Sequence, residues 1–264
     1  MQERNNRPVN AETSLDYFLD HGFAAFQLKN EGHRSGLDAI FLAATLDAES
    51  AGQIADFGAG AGVVGLAVAH RCPKTIVDLY EIDSELSALT AQSLNLDENN
   101  RLGEQVRNLC CDVGDAARML DLAGLQQGSY DYVLANPPFN DSGHRISPDQ
   151  RRAGAHMISG IDMNQWVRSA HRLLRHRGRF NLIIRPSNLD DYLSALRGRF
   201  GGVDVLPLHS KKSAPANRLL VGAKKGSKAP MQILPSFTIH RSDGSFTHAA
   251  KAILKGQETV GLLA

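Results

Sequence analysis

Short apolar segments alternate with amphipathic ones along most of the chain. Buried strands are expected at residues 53–57, 75–81, 105–111, 130–135, 179–185, 203–208 and 218–224. Helical periodicity is found near residues 63–71, 84–96, 115–123, 162–175 and 188–199. This alternation predicts an α/β fold with a doubly wound, mostly parallel, seven-stranded sheet. Because no helix separates the last two strands, we expect them to form an antiparallel hairpin.

The predicted sheet is flanked by further segments at both ends. Residues 1–14 begin with a polar stretch of mixed charge and are expected to form a disordered tail, followed by a single domain over 15–264. Residues 15–27 alternate apolar and polar positions, and we expect them to cover a ligand site. A strand, a turn and a short helix are predicted near the C-terminus, at 232–240, 243–244 and 246–254.

Polar side chains stand at the ends of four successive predicted strands. Three are acidic and the fourth is an amide: Asp56, Glu81, Asp112 and Asn136. The carboxyl ends of strands in an open parallel sheet line one crevice, so these four side chains are expected to lie together. Any one of them could instead cap the helix that follows its strand.

A glycine-rich turn, Gly58-Ala59-Gly60-Ala61-Gly62, links the first of these strands to a helix. Free amides at the start of a helix favour the polar groups of a ligand. Gly60, Gly62 and Gly65 also satisfy the dinucleotide pattern G-x-G-x-x-G. Asp56 precedes the glycines, where it would repel a pyrophosphate but suit a cationic ligand. The turn therefore favours S-adenosylmethionine over NAD.

The loop Asn136-Pro137-Pro138-Phe139 follows a strand that is expected to be buried. The two prolines stiffen the loop and remove two backbone donors. Asn136 supplies an amide oxygen, Pro137 a carbonyl oxygen, and Phe139 a flat apolar face. Such a loop can accept the hydrogens of a planar amine, direct its lone pair towards an electrophile and stack the attached base. These four residues are the catalytic candidates.

These motifs resemble those of the class I S-adenosylmethionine-dependent methyltransferases, whose fold is Rossmann-like. Three further segments narrow the resemblance to the bacterial tRNA1(Val) adenine-37 N6-methyltransferase family: residues 36–42, Arg151-Arg152 and residues 217–221. The resemblance implies N6-methyladenosine formation in a tRNA anticodon loop, with the adenine held by the Asn-Pro-Pro-aromatic loop. Many relatives carry tyrosine where this chain has Phe139. Phenylalanine can still stack on a base, but it lacks the hydroxyl group of tyrosine.

The cofactor candidates follow from the strand ends and from the resemblance. We assign Glu81 to the ribose hydroxyls, Asp112 to the adenine amino group, and the turn from Asp56 to Gly62 to the methionine end, and Ile82 is a further cofactor candidate next to Glu81. The resemblance implies that Gly36 and Asp38 help to close the cofactor pocket. The full set is Gly36, Asp38, Asp56, Gly58, Gly60, Gly62, Glu81, Ile82, Asp112 and Asn136.

A net charge of only +1 conceals two electrically opposite parts. Residues 1–140 carry 9 Lys and Arg against 20 Asp and Glu, whereas residues 141–228 carry 17 against 6. The basic part starts directly after the proposed acceptor loop, where a polyanion such as RNA would approach. The candidate RNA contacts are Arg145, Arg151, Arg152, Lys211, Lys212 and Arg218.

One helix carries a basic stripe whose role is open. Arg168, Arg172 and Arg175 share a face of the predicted helix 162–175 and could point into solvent instead of towards RNA. Gly178 is expected to end this helix, after basic residues that complement its dipole.

Composition excludes several other kinds of protein. The hydrophobic content of 42% suits one compact domain, and no apolar run is long enough for a membrane span. The three cysteines and ten histidines show no metal-ligand spacing and no disulfide framework. We therefore expect a cytoplasmic protein without a metal. The sequence makes no prediction of the oligomeric state.

Several acceptors remain compatible with the loop. A guanine-N2 methyltransferase acting on ribosomal RNA, or a glutamine-amide methyltransferase acting on a protein, would use a similar loop. The amide enzymes carry a larger helical domain ahead of the glycine turn than the 55 residues found here. A nucleotide-binding oxidoreductase and a non-catalytic RNA-binding module are alternatives from other classes.

Overall fold

The computed structural model describes residues 12–29, 36–137 and 163–262. Within them, the main sheet has the order β10-β8-β9-β7-β6-β3-β4-β5, and β11 pairs with β8 on its outer side. The strands of this sheet are β3 (Ala51–Phe57), β4 (Lys74–Glu81), β5 (Val106–Cys110), β6 (Tyr130–Ala135), β7 (Leu174–Ile184), β8 (Phe200–Lys211), β9 (Ala216–Lys225), β10 (Gln232–Ile233) and β11 (Phe237–His240). All neighbours are parallel except β9, which is antiparallel to β7 and β8. The predicted fold class and terminal hairpin are confirmed.

Helices cover both faces of this sheet. They are α1 (Leu37–Ala43), α2 (Val63–Arg71), α3 (Ser84–Leu94), α4 (Ala116–Ala123), α5 (Met163–Leu173), α6 (Leu189–Leu196) and α7 (His248–Leu254). The buried apolar residues form two clusters, one with α1, α2 and α7 and the other with α4, α5 and α6. Successive residues of the strands enter the two clusters alternately, as Leu182, Ile183 and Ile184 do in β7. This is why the central strands are apolar on both faces.

The central parallel strands end at nearly the same level. Phe57 of β3 is paired with Tyr80 of β4 on one side and with Ala135 of β6 on the other, and Glu81 is paired with Cys110. The residues that follow these strands therefore emerge along one edge of the sheet. All of the polar residues predicted at strand ends belong to this edge or to the turns just beyond it.

The hairpin β8–β9 continues well past this edge. Pairing across β6, β7, β9 and β8 places Ala135, Leu182, Val221 and Val205 in one row perpendicular to the strands. From this row, β8 continues for six more residues to Lys211. At about 3.3 Å per residue, its tip stands roughly 20 Å beyond that row.

The C-terminal extension differs from the prediction. The expected strand over 232–240 is two short strands, β10 and β11, and both run parallel to β8. Within the described ranges, the sheet consequently has nine strands, where seven were predicted. The predicted helix near 246–254 is present as α7, where the Thr247 hydroxyl accepts a hydrogen bond from the Ala250 amide at 3.2 Å.

The end of α5 also differs from the prediction. The helix stops at Leu173 and β7 begins directly at Leu174, so Arg175 lies in a strand. The prediction that Arg168, Arg172 and Arg175 share one helix face is therefore wrong for Arg175. Nor does Gly178 end the helix, because it lies within β7, where the register against β6 is irregular.

An antiparallel hairpin formed by β1 (Thr13–Phe18) and β2 (Phe23–Leu28) precedes the sheet. It packs against α3 and the short turn after α3, where Asn99 is buried. The Ala24 amide donates to Asn99 Oδ1 at 3.0 Å, and Asn99 Nδ2 returns a bond to the Ala24 carbonyl at 2.6 Å. Since β1 begins at Thr13, the boundary predicted after residue 14 falls inside this strand.

We expect Gly65→Ala to lower the free energy of unfolding by about 1–2 kcal/mol, because overpacking outweighs the gain in helix propensity. A methyl group at Gly65 would overlap Leu79 Cδ2 and approach Val77 Cγ1 to 3.0 Å. Gly103→Ala is the matched control, since its nearest neighbour would be the Asn100 carbonyl at 3.7 Å. Urea denaturation of both variants measures the difference, and an unchanged midpoint for Gly65→Ala would contradict the packing argument.

Candidate active site

The glycine-rich turn after β3 consists of backbone groups held in left-handed conformations. Gly58, Gly60 and Gly62 have φ values of 63°, 57° and 79°. The Ala59 amide donates to the Tyr80 carbonyl at 3.0 Å, which fastens the turn to the end of β4. A side chain at Gly60 would meet no atom of the described residues within 4 Å, so among these residues open space lies beside the turn. The turn can therefore be approached closely by a ligand.

Asp56 lies beneath this turn and is only 1% exposed. Its Oδ2 accepts a hydrogen bond from the Gly65 amide at 3.0 Å, in the first turn of α2. Gly62 precedes α2 and offers no capping side chain. Asp56 therefore satisfies one of the free donors at the start of this helix. Burial raises the pKa of Asp56 from 3.8 to about 8.

Glu81 joins the ends of β3 and β4. One carboxylate oxygen accepts from the Gly60 amide at 2.7 Å, and the other accepts from the Asp83 amide at 2.8 Å. Each oxygen retains a second lone pair for another donor. The next residue, Ile82, is 54% exposed although it is large and apolar. The edge thus combines a carboxylate with an adjacent apolar surface.

Asp112 lies in the turn after β5, where its side chain is exposed. Its Oδ1 accepts from the Gly114 amide at 2.7 Å, so the carboxylate is held by its own turn. A side chain at Gly114 would overlap Gln165 of α5. The position of Asp112 is therefore coupled to the start of α5.

Asn136 directly follows β6, next to the strand that carries the glycine turn. Its side-chain oxygen Oδ1 is buried, and within the described residues no group donates a hydrogen bond to it. A buried acceptor without a donor is costly unless a ligand supplies one. Pro137 is buried beside it. Pro138, Phe139, Arg145, Arg151 and Arg152 lie outside the described residues.

Trp166 of α5 is a site-supporting residue that the sequence analysis missed. It is buried and meets Phe57 edge-on, with ring centroids 6.1 Å apart. A side chain at Gly58 would meet Trp166 Cη2 at 2.8 Å. Trp166 is the single tryptophan of the chain, which is the only signal of its role in the sequence. Through it, α5 packs directly on the glycine turn.

Two candidates with different predicted roles are bound to each other. Arg218 Nε donates to Asp38 Oδ2 at 2.7 Å, with side chains that are 22% and 24% exposed. The pair joins α1 to the β8–β9 hairpin. Asp38 was expected beside the cofactor and Arg218 beside RNA, so the ion pair brings the two predicted regions together. Gly36 precedes α1 and is exposed.

The basic part of the chain is divided between opposite edges of the sheet. Lys211 and Lys212, at the tip of the β8–β9 hairpin, stand at the edge that carries Asn136. A second group of basic residues occupies the other edge, where β7 starts and β9 ends: Arg175, His176, Arg177, Arg179, Lys224 and Lys225. Of the described basic residues, those at the start of β7 and the end of β9 therefore lie away from the edge that carries Asn136.

The described part of the chain offers neither a candidate metal-ion cluster nor a helix that could span a membrane. In residues 12–29, 36–137 and 163–262, no group of three His, Cys, Asp or Glu side chains is placed to hold a metal ion. The same residues contain no helix with the length and apolarity that a bilayer crossing requires.

The fold and the edge together define a class of protein. A sheet in this order, with a glycine turn after its first central strand and acidic residues after the next two, is that of the class I methyltransferases. Residues 36–211 match the family model described as "Methyltransferase small domain", and the chain belongs to this family. It is therefore a methyltransferase.

Three known proteins show how this chain relates to others. A tRNA1(Val) (adenine(37)-N6)-methyltransferase from Dyadobacter fermentans is 26% identical over 78% of this chain and 82% of its own length. One of the same name from Pedobacter heparinus is 28% identical over 88% of this chain and 95% of its own. The crystal structure of a predicted O-methyltransferase from Agrobacterium tumefaciens is 30% identical, with a TM-score of 0.71, and covers 84% of this chain and 97% of its own.

The protonation of Asp56 predicts a pH-dependent stability. Between about pH 4 and pH 8 the unfolded chain has ionised this carboxyl while the folded protein retains its proton, so its contribution to stability falls as pH rises. Asn at this position cannot ionise. We expect the unfolding free energy of Asp56→Asn, relative to the wild type, to increase steadily from pH 5 to pH 8. Urea denaturation across this range measures it, and a constant difference would refute the assignment.

Proposed function

We propose that this protein transfers a methyl group from S-adenosylmethionine to the N6 amine of an adenine in a tRNA anticodon loop. The observation that carries the proposal is the buried Asn136 Oδ1, which lacks a donor within the described residues and stands beside the glycine turn. The exocyclic amine of a base can supply the hydrogen-bond donor that this oxygen lacks. The two tRNA-modifying relatives, by their names, act on such an amine.

The acceptor loop would hold the amine through two oxygens. Asn136 Oδ1 and the Pro137 carbonyl accept its hydrogens, which draws the nitrogen lone pair out of conjugation with the ring. Phe139 stacks on the base and fixes its plane. A base can enter such a pocket only when it has left any stack, which favours a loop nucleotide over an intact duplex.

The residues on the edge fit S-adenosylmethionine. The open space beside Gly60 admits the methionine end, and the remaining lone pairs of Glu81 suit two ribose hydroxyls. The exposed side chain of Ile82 would cover one face of the adenine ring. The amino group of that adenine would donate a hydrogen bond to the Asp112 carboxylate. When bound, S-adenosylmethionine supplies an electrophilic methyl group with a neutral thioether as leaving group.

The cofactor pocket gives Asp56 and Asp38 supporting roles. Asp56 is buried behind the turn, so we assign it to holding α2 in place beneath Gly58 and Gly62. Asp38 fixes the start of α1 through Arg218, next to the exposed Gly36. Proximity and electrostatics then supply most of the rate enhancement. A strong base is not required, because the methylated nitrogen is acidic enough to release its proton to water.

The acceptor is identified by labelled methyl transfer from S-adenosylmethionine. Total tRNA, ribosomal RNA and protein from a strain lacking the gene are the acceptors, followed by nucleoside digestion and mass spectrometry. N6-methyladenosine in tRNA is the expected product. Label in N2-methylguanosine, in glutamine amide or in 2′-O-methylated ribose would assign the enzyme to another acceptor. The last product bears on the predicted O-methyltransferase that shares this fold.

We expect Asn136→Ala to abolish turnover while S-adenosylmethionine binding persists, because the substitution removes the amine acceptor and leaves the glycine turn and the carboxylates of Glu81 and Asp112 in place. Removal of one preorganised group that stabilises the charge of a transition state commonly lowers kcat by about 100-fold or more. The exposed Asn100→Ala provides a matched control. Single-turnover rates and calorimetric cofactor binding are the readouts, and near-normal turnover in Asn136→Ala would sink the assignment.

A further inference from the structure

A cleft of about 890 Å³ opens at the tip of the β8–β9 hairpin. It is lined by basic and hydroxyl-bearing residues from two separate segments, among them Lys211, Lys212, His240, Arg241 and Ser242. More than half of this lining comes from β11 and the residues after it, beyond the stretch 36–211 that matches the family model. The C-terminal extension therefore completes a site that the family core alone does not contain.

The two sides of the cleft are fixed to each other. His240 is paired with Lys211 in the β11–β8 ladder, and Lys211 Nζ donates to the Ser242 carbonyl at 3.1 Å. The His240 ring stacks on Phe246 with centroids 4.8 Å apart, which holds it in the wall. The cleft is thus built by strand pairing and ring packing, so it is preformed.

The described residues of the lining carry positive charge and include no acidic side chain. Lys211, Lys212 and Arg241 are all exposed. The nearest carboxylate in the sequence, Asp243, is held by the amide and hydroxyl of Ser245 at 2.8 and 2.7 Å. Two ammonium groups, a guanidinium and several hydroxyls are the groups that proteins direct at RNA phosphates.

The cleft and Asn136 share one edge of the sheet at a definite separation. From the row of Asn136, which passes Ile183, Leu220 and Leu206, Lys211 lies five residues further along β8 and three strands across. Strand spacings place it roughly 20 Å from the acceptor loop. A nucleotide held in the acceptor loop would not reach the cleft over this distance, but nucleotides a few positions away along the same RNA would.

We propose that this cleft binds the phosphate backbone of the substrate RNA several nucleotides away from the methylated base, so that the C-terminal extension is a substrate-docking element. The inference rests on the proposed RNA substrate. Phosphate binding in the cleft positions the RNA and contributes affinity in a salt-dependent way, whereas the Asn136 loop selects the base.

The test compares two double variants of the full chain. Lys212→Ala with Arg241→Ala removes one cation from each side of the cleft. Lys74→Ala with Lys255→Ala removes the same charge from exposed ion pairs with Glu49 and Asp20 elsewhere on the surface. RNA affinity is measured by fluorescence anisotropy with total tRNA from the gene-deleted strain, over a range of salt concentrations. KM for tRNA and for S-adenosylmethionine are measured in parallel.

The cleft variant is expected to bind tRNA at least tenfold more weakly at physiological salt. Its slope of log affinity against log salt should fall by about 0.7 for each phosphate that the protein no longer neutralises, with KM for S-adenosylmethionine unchanged. Equal losses of affinity in both double variants, or an unchanged slope in the cleft variant, would overturn the docking role. A wild-type protein that neither binds nor methylates tRNA would instead overturn the proposed function. Because Lys212 and Arg241 are exposed, the midpoint of thermal unfolding is expected to match that of the wild type.

Discussion

The common level at which the central parallel strands end is the constraint on which the site depends. Hydrogen bonding pairs Phe57 with Tyr80 and with Ala135, so the chain leaves three neighbouring strands at one edge. Strand spacing is fixed at about 4.8 Å, and residues far apart in sequence are therefore brought within reach of one small molecule. A slip by one residue in any of these pairings would turn the buried face of a strand towards the wrong cluster.

The chemistry of this edge divides between groups that contact ligands and groups that hold the backbone. Glu81 does both, since its oxygens accept two backbone amides and still have lone pairs to offer. Asp56 is buried behind the turn and stabilises α2. Asn136 is the opposite case, because its acceptor is buried with no donor among the described residues. Acidity at the strand ends is therefore as much a matter of folding as of binding.

Local sequence patterns were sufficient to predict the features that depend on residues close together in the chain. The central strands were predictable because they are buried on both faces and read as continuous apolar runs, and the polar residues after them mark the edge. The start of β7 was not, since Arg175 to Arg179 is basic and continues from α5 without a turn. Contacts across long stretches of sequence were also beyond prediction, as the Asp38–Arg218 pair and the bonds between Asn99 and Ala24 illustrate.

The glycines of the motif are required by the packing of the protein itself as well as by a ligand. An added Cβ at Gly58 would come too close to Trp166, one at Gly62 to Thr90, and one at Gly65 to Leu79. All three neighbours belong to the protein itself. A descendant of this chain that lost its cofactor would still need small residues at these three positions to keep its fold. Gly60 differs from them, because an added Cβ would meet no atom of the described residues within 4 Å, yet its left-handed φ of 57° still favours glycine. In a comparison of homologues, retention of these glycines would therefore show that the turn and its packing are kept, and would not by itself show that a cofactor is bound.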